Sequence, residues 1–259
     1  MPDSPSSPFD LLAAGYDETF TRSTVGTLQR RAVWRHLDAA FGAGDRVLEL
    51  GCGTGEDAVH LGRRGVKVLA TDAALGMVEA ARRKVEAAGL SGVELRRLAL
   101  EDLSQLSGPP FDGAFSNFGG FNCTRDLRGP AADLAALLRP GARLLLCIMG
   151  PFVPWEWAWY GLRLEPGRAF RRLKAGGALW RGMEIRYPSI GAVKRAFTPA
   201  FAARRAVAIG ALLPPSYAEP WAQKHPRLLA WLDRWERRFE TVPPLPWLAD
   251  HYLLELERR

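Results

Sequence analysis

Apolar and polar positions in the first 150 residues fall into short runs of two alternating kinds. Residues 46–50 (RVLEL), 66–71, 93–98, 111–116 and 142–149 are compact apolar runs of strand length. Between them, 56–64, 73–88 and 127–138 carry helical spacing, closed by Gly65, Gly89 and Arg139-Pro140-Gly141. The run at 142–149 (ARLLLCIM) is apolar almost throughout, as a strand covered on both faces should be. Strands alternating with helices imply a parallel sheet with helices on both faces. Right-handed crossovers then put every strand C-terminus on one edge, where ligands of such sheets bind.

After residue 150 the pattern loosens. Residues 151–182 are rich in Trp, Arg and Gly. Residues 189–197 read as a short helix, and 201–209 and 252–256 as strands. Leu228, Leu232, Trp235 and Phe239 recur at i, i+4, i+7 and i+11 and mark one face of an amphipathic helix. The reading divides the chain into 1–150, a ligand-binding core with an N-terminal helical cap, and 151–259. The second part holds a substrate lobe followed by the last helix and strands, which complete the sheet.

Charge sharpens that boundary. Residues 1–150 hold 17 Lys+Arg against 18 Asp+Glu, whereas 151–259 hold 18 against 10, so the net +7 lies in the second part. Eight of the nine tryptophans lie there too. Arg outnumbers Lys 30 to 5, which a GC-rich genome explains as readily as selection for anionic partners. Three cysteines leave one unpaired and point to a reducing compartment, read as cytoplasmic. No secretory leader or membrane span is expected.

The chemistry concentrates at Glu49-Leu50-Gly51-Cys52-Gly53-Thr54-Gly55, after a strand and before a helix. Glycines let the backbone turn sharply and approach a ligand. A dinucleotide fingerprint, Gly-x-Gly-x-x-Gly, would place its third glycine at 56, which is Glu56. A carboxylate there repels a pyrophosphate, and Glu49 adds another. The loop therefore suits a ligand without phosphates that carries positive charge. Asp72, ending the second strand, can accept from ribose hydroxyls or cap the next helix. Glu101 and Asp102 stand in the same place after the third strand, where they can accept from an exocyclic amine while Leu103 packs on a base.

In this order, ELGCGTG, Asp72, Glu101-Asp102-Leu103, Phe111-Asp112 with Asn117-Phe118-Gly119, and Leu138-Arg139-Pro140-Gly141 resemble a class I S-adenosylmethionine-dependent methyltransferase. The resemblance spans about residues 10–150. It implies an α/β, Rossmann-like, doubly wound and mostly parallel seven-stranded sheet, with helices on both faces and an inserted Trp/Arg-rich substrate lobe. It implies S-adenosylmethionine as cofactor, S-adenosylhomocysteine as product, and no metal. The glycine loop, Glu49 through Gly51, Cys52, Gly53 and Gly55, would pass under the methionine part. Asp72, with Ala73 and Met77 beside it, would hold the ribose side, and Glu101, Asp102 and Leu103 would meet the adenine. Asn117, Phe118 and Gly119 would flank the sulfonium, and Tyr16-Asp17 would close over the cofactor.

The partner implied is a small, largely apolar acceptor, methylated at O, N or C by in-line displacement, with no nucleic acid expected. Trp155, Glu156 and Tyr160, just past the fifth strand, are the candidate acceptor contacts. Glu156 is the weak candidate for a base. Arg163, Arg168, Arg171, Arg172 and Arg181 are candidates to pair with an acidic group on the acceptor. Two alternatives stay open. One is an NAD-dependent oxidoreductase. The other is an RNA-binding or membrane-surface protein using the basic second half.

Overall fold

The computed structural model describes residues 9, 10, 13, 15–17, 21–174 and 176–259. Residues 11, 12, 14, 18–20, 175 and the first eight lie outside that set, so of the N-terminal cap only its described residues enter here.

Helix α1 (Thr24–Ala40) is capped by Ser23, whose side chain accepts from the Gly26 N–H. It is followed by β1 (Arg46–Leu50), α2 (Glu56–Arg63), β2 (Lys67–Asp72), α3 (Leu75–Ala87), β3 (Val93–Arg97), β4 (Phe111–Ser116), α4 (Arg128–Leu137) and β5 (Leu138–Met149). β5 begins earlier than the apolar run suggests. Leu138 pairs with Phe111, and Arg139-Pro140-Gly141 forms a register irregularity at the strand's start rather than a break before it.

The second part begins with α5 (Pro154–Gly161) and the short α6 (Pro166–Ala169). A small hairpin follows, β6 (Ala178–Trp180) and β7 (Met183–Ile185), turned by Arg181 and Gly182, both at positive φ. That is the turn geometry which two-residue hairpins favour. Next come α7 (Ile190–Phe197), β8 (Phe201–Ile209), α8 (Glu219–Ala222), α9 (Pro226–Phe239) and β9 (His251–Arg258).

Seven strands form one sheet in the order β3-β2-β1-β4-β5-β9-β8. The first five are parallel, and β9 is antiparallel to both β5 and β8. Period-two alternation divides the core between the sheet's faces. Leu144, Leu146 and Ile148 of β5 join one buried cluster with α4 and α7. Leu145 and Cys147 join the other, against α1 and α2. The strand order reverses at β1/β4, so the loops after β1 and β4 splay apart and leave a crevice at the C-terminal edge.

The predicted face of α9 is turned mostly to solvent. Leu228, Trp235 and Phe239 are 39%, 44% and 41% exposed, Leu232 is half-buried against a small cluster with Leu229, and the helix buries Leu229 and Glu236. The helical period holds, and periodicity reports an apolar face and not what covers it. No helix of the described residues is long and apolar enough to cross a membrane.

Candidate active site

The loop after β1 turns through Gly51, Gly53 and Gly55, all at positive φ. Two of them answer different demands. A Cβ on Gly55 would come within 2.7 Å of Ala81 in α3, so that glycine permits close helix packing. A Cβ on Gly53 would meet nothing within 4 Å, because that residue faces open space. The space is a cavity of about 640 Å³, walled on one side by Gly51, Cys52, Gly53 and Thr54.

Asp72 fixes the loop from the next strand. One oxygen accepts from the Gly53 N–H at 2.9 Å and the other from the Ala74 N–H at 2.9 Å. Both readings of Asp72 therefore have substance: it caps the turn into α3, and it faces the cavity. Each carboxylate oxygen keeps further acceptor capacity. Burial pushes its carboxyl up, and the Ala74 and Gly53 N–H groups pull it back only partly. Glu49, fully enclosed beneath the loop, is pushed well above the usual range by burial and then by Asp57.

Sequence reasoning missed the centre of the site. Asp57, in the first turn of α2, is buried and accepts from Arg30 (2.7 Å), Trp34 (2.7 Å) and Asn117 (2.9 Å). It thereby joins α1, α2 and the loop after β4. Burial works against its charge, but Arg30, Asn117 and Trp34 together hold its carboxyl below the usual range. Arg30 in turn lies 4.9 Å from the ring centre of Phe118, which adopts φ +52°. Non-glycine residues at such φ concentrate at ligand sites. Local sequence could not have revealed this hub, since its four members are drawn from three elements.

The N-terminal segment is tied over the loop. Asp17 accepts from Thr54 at 2.6 Å and pairs with Lys84 of α3 at 2.8 Å, and Lys84 also pairs with Glu56 at 2.7 Å. Asp10 accepts from the Gly76 N–H at 2.7 Å. Tyr16 and Phe9 line the cavity from this side. Phe9 lies 6.0 Å from Trp180 of the β6–β7 hairpin, so strap and hairpin meet across the opening.

Of the expected cofactor contacts, Ala73, Met77, Glu101, Phe118 and Gly119 also line the cavity, as does Asn117. Four do not. Glu49 is enclosed beneath the loop, and Gly55 turns toward α3, as above. Leu103 is fully buried in the core, and Asp102 sits outward, accepting from Gln105. Leu98 and Leu100 take the apolar place expected of Leu103.

The lobe side needs larger corrections. Trp155 does not face the cavity; its indole N–H donates to the Leu212 carbonyl and its ring packs 6.3 Å from Trp221. Glu156 is 1% exposed, its oxygens held by Arg171 at 2.5 Å and Arg172 at 2.6 Å. It is a structural counter-ion and not a base open to substrate. Arg172 continues to Asp250 at 2.6 Å and to the carbonyls of Gly150 and Asp250. Burial would raise the Asp250 carboxyl, but Arg172 and His251 overcome it and hold it far below the usual range. Of the three expected acceptor contacts only Tyr160 lines the cavity, with Tyr187, Tyr217, Ile185 and Trp180. Of the five arginines only Arg171 does. Cys123 also lines it, but desolvation, then Asp72 and Glu101, push its thiol up to about 11, too high for a ready nucleophile. Among the described residues no cluster of His, Cys, Asp and Glu has the arrangement of a metal site.

Residues 47–141 match a family model described as a methyltransferase domain. A demethylmenaquinone methyltransferase of Clavibacter sepedonicus is 34% identical over 146 residues, covering 56% of this chain and 58% of that protein. A second, from Beutenbergia cavernae, is 34% identical over 159 residues, covering 60% and 58%. The chain thus aligns with somewhat over half the length of these relatives. Among solved structures, an S-adenosylmethionine-dependent methyltransferase from Mesorhizobium loti superposes with a TM-score of 0.58 at 21% identity, covering 89% of this chain and all of that one. A [4+2]-cyclase superposes at 0.55 with 15% identity, covering 96% and 81%, so this architecture also carries other chemistry. The comparisons support neither an NAD-dependent oxidoreductase nor an RNA- or membrane-surface binder as the principal activity. Residues 47–141 thus carry a methyltransferase domain, and the seven-stranded sheet that includes them has the fold of solved S-adenosylmethionine-dependent methyltransferases.

Proposed function

We propose that this chain transfers a methyl group from S-adenosylmethionine to a small, planar, largely apolar acceptor of the demethylmenaquinone kind. One observation carries the reading: a single cavity is walled by the β1 glycine loop and Asp72 on one side and by an aromatic lobe on the other. The cofactor has no phosphate and carries a sulfonium and an ammonium. The residues present suit it. Gly53 leaves its approach open, Asp72 has lone pairs to spare for ribose hydroxyls, and Glu101 adds a carboxylate with no ion pair among the described residues. The same acids would repel a dinucleotide's pyrophosphate.

The cofactor, once bound, supplies a methyl carbon already activated for displacement. The protein's task is to orient. Tyr16 and the Asp17–Lys84 tie close one end, and the Phe118 backbone and Gly119 flank the centre. Tyr160, Tyr187 and Tyr217 offer flat walls to an acceptor ring, and such walls also exclude water. Holding the acceptor atom about 3 Å from the methyl, in line with sulfur, is the main source of rate. The Tyr217 hydroxyl is buried and has no hydrogen-bond partner among the described residues, and Arg171 stands beside Tyr160. They fit an oxygen on the acceptor, neutral or anionic. We read residues 151–189 and 210–250 as the acceptor lobe.

Calorimetry with S-adenosylhomocysteine tests the cofactor half. Asp72→Ala should weaken binding by about 1–3 kcal/mol, the range for removing one partner of buried polar groups. Unchanged affinity would refute the assignment. Transfer of labelled methyl to a panel of hydroxylated naphthalenes tests the acceptor half, and turnover only of amines or of no ring compound would overturn it.

A further inference from the structure

Helix α9 presents its apolar face to solvent while its opposite side is fixed. The Glu236 carboxylate accepts from the backbone N–H of Gly210 at 2.6 Å and of Leu212 at 2.7 Å, and Leu229 is 1% exposed. These anchors set the rotation of the helix. At 3.6 residues per turn, Leu228, Trp231, Trp235 and Phe239 then fall within an arc of about 80° on the outer side. Trp231 is 52% exposed, and Val242, just past the helix end, is 48% exposed and continues the stripe. The rings are ordered against each other, with Trp231 6.0 Å from Trp235, and Trp235 stacked on Phe239 at 5.7 Å.

The polar positions beside the stripe are not random. Arg227, Arg234 and Arg238, at i, i+7 and i+11, fall within about 40° of one another along one flank of it. All three are exposed, and none makes an ion pair among the described residues. The helix's other cation near its end, Arg237, lies on a different side and is paired with Asp233 at 2.9 Å. The outer surface of α9 is therefore an aromatic stripe with an uncompensated cationic border.

We propose that α9 docks the protein on an anionic lipid surface, lying in the interface plane. Tryptophan and phenylalanine gain most at the boundary between headgroups and acyl chains, and arginine can bury its stem while its head meets phosphate. A second copy of the chain would bring the same three arginines against this border, whereas an acidic bilayer satisfies the stripe and the arginines together. Placement agrees. β8 runs in the direction of β5, being antiparallel to β9, which is antiparallel to β5. Gly210 and Leu212 follow its C-terminal end, so α9 is anchored on the sheet edge that carries the cavity. Docking there would set the acceptor lobe beside the membrane. The inference does not depend on which reaction the cavity performs.

The test is flotation of the full chain with vesicles of phosphatidylcholine alone and of phosphatidylcholine mixed with phosphatidylglycerol. We expect association with the mixed vesicles, reversed by high salt, and little with the neutral ones. Replacing Arg227, Arg234 and Arg238 by Gln should weaken it roughly a hundredfold, at about a tenfold for each 1.4 kcal/mol and about 1 kcal/mol per basic residue at such a surface. Trp231→Ser with Trp235→Ser should abolish it while S-adenosylhomocysteine affinity stays unchanged. No binding of the unaltered chain to either vesicle would overturn the proposal. So would binding that survives both sets of substitutions, or a dimer in sedimentation that the serine variant dissolves in the absence of any lipid binding.

Discussion

Two buried carboxylates, one in the sheet core and one in the lobe, meet opposite fates. Asp57 is reached by a guanidinium, an amide and an indole, and its carboxyl is held below the usual range. Glu236 is as deeply buried, but only backbone N–H groups reach it, and burial pushes it up to about 7. Burial alone favours the neutral acid; backbone dipoles pull against that weakly, and a formal positive charge can reverse it. The core is thus organised around a charged hub that ties three elements to the glycine loop. The lobe helix hangs on a carboxyl that changes its charge near pH 7.

Gly53→Val should produce the largest change. The side chain would occupy the open face of the loop, and S-adenosylhomocysteine binding should vanish in calorimetry. Backbone strain of about 1–2 kcal/mol at positive φ should leave the chain folded. Normal binding by this variant would move the ligand elsewhere and erase the distinction between a ligand-holding core and a substrate-choosing lobe.

Arg172→Met comes next. It would leave Glu156 and Asp250 buried without their shared cation, a change that typically costs about 3–5 kcal/mol. Urea denaturation followed by tryptophan fluorescence should report it, since eight of the nine tryptophans lie beyond residue 150. A loss under about 1 kcal/mol would mean that the lobe does not rest on this network.

The contrast also explains what could be read in advance. The glycine loop was legible because few residues tolerate positive φ and a close ligand approach, and Asp72 because a strand end fixes where a side chain points. The parallel core followed from strand and helix periods. The lobe was not legible for the same kind of reason in reverse. Arg172 and Asp250 are 78 positions apart, and nothing local at either marks the pairing. Glu156 looked available because it sits at the active edge, yet two arginines enclose it. Trp155 looked like pocket lining because it is close in sequence to β5, yet its helix turns it toward Leu212. Composition saw an aromatic, basic region correctly, but only packing decides which rings face a ligand, a core or solvent.

The pH dependence of stability separates the two carboxylates. An unfolded Glu236 titrates near 4.5 and the folded one at about 7, so between those values the folded state holds a proton that the unfolded state releases. Stability should therefore fall as pH rises across that window, by roughly 3 kcal/mol at about 1.36 kcal/mol per unit. Glu236→Gln should flatten this slope. Asp57 acts with the opposite sign: its contribution is present above its unfolded value and is lost as pH falls through the folded one. Denaturation midpoints over a pH series check both, and a Glu236→Gln variant with the parent's slope would refute the assignment.

The smallest effect should come from Tyr217→Phe, and its pattern matters more than its size. The hydroxyl removed is buried and without a partner among the described residues, so the folded protein loses no internal hydrogen bond. Stability should hold or rise slightly, since an unsatisfied buried polar group is itself unfavourable. Binding of S-adenosylhomocysteine should stay within about twofold, because Tyr217 stands with Tyr160 at 5.2 Å on the lobe side, away from the glycine loop. KM for a hydroxylated ring acceptor should rise up to about tenfold, the value of one hydrogen bond to a neutral group. Arg171→Leu should raise KM more for an anionic acceptor than for a neutral one, though it also removes one partner of Glu156 and needs a stability control. If Tyr217→Phe instead destabilises the fold and leaves KM unchanged, the ring is lobe core and the acceptor binds against other residues.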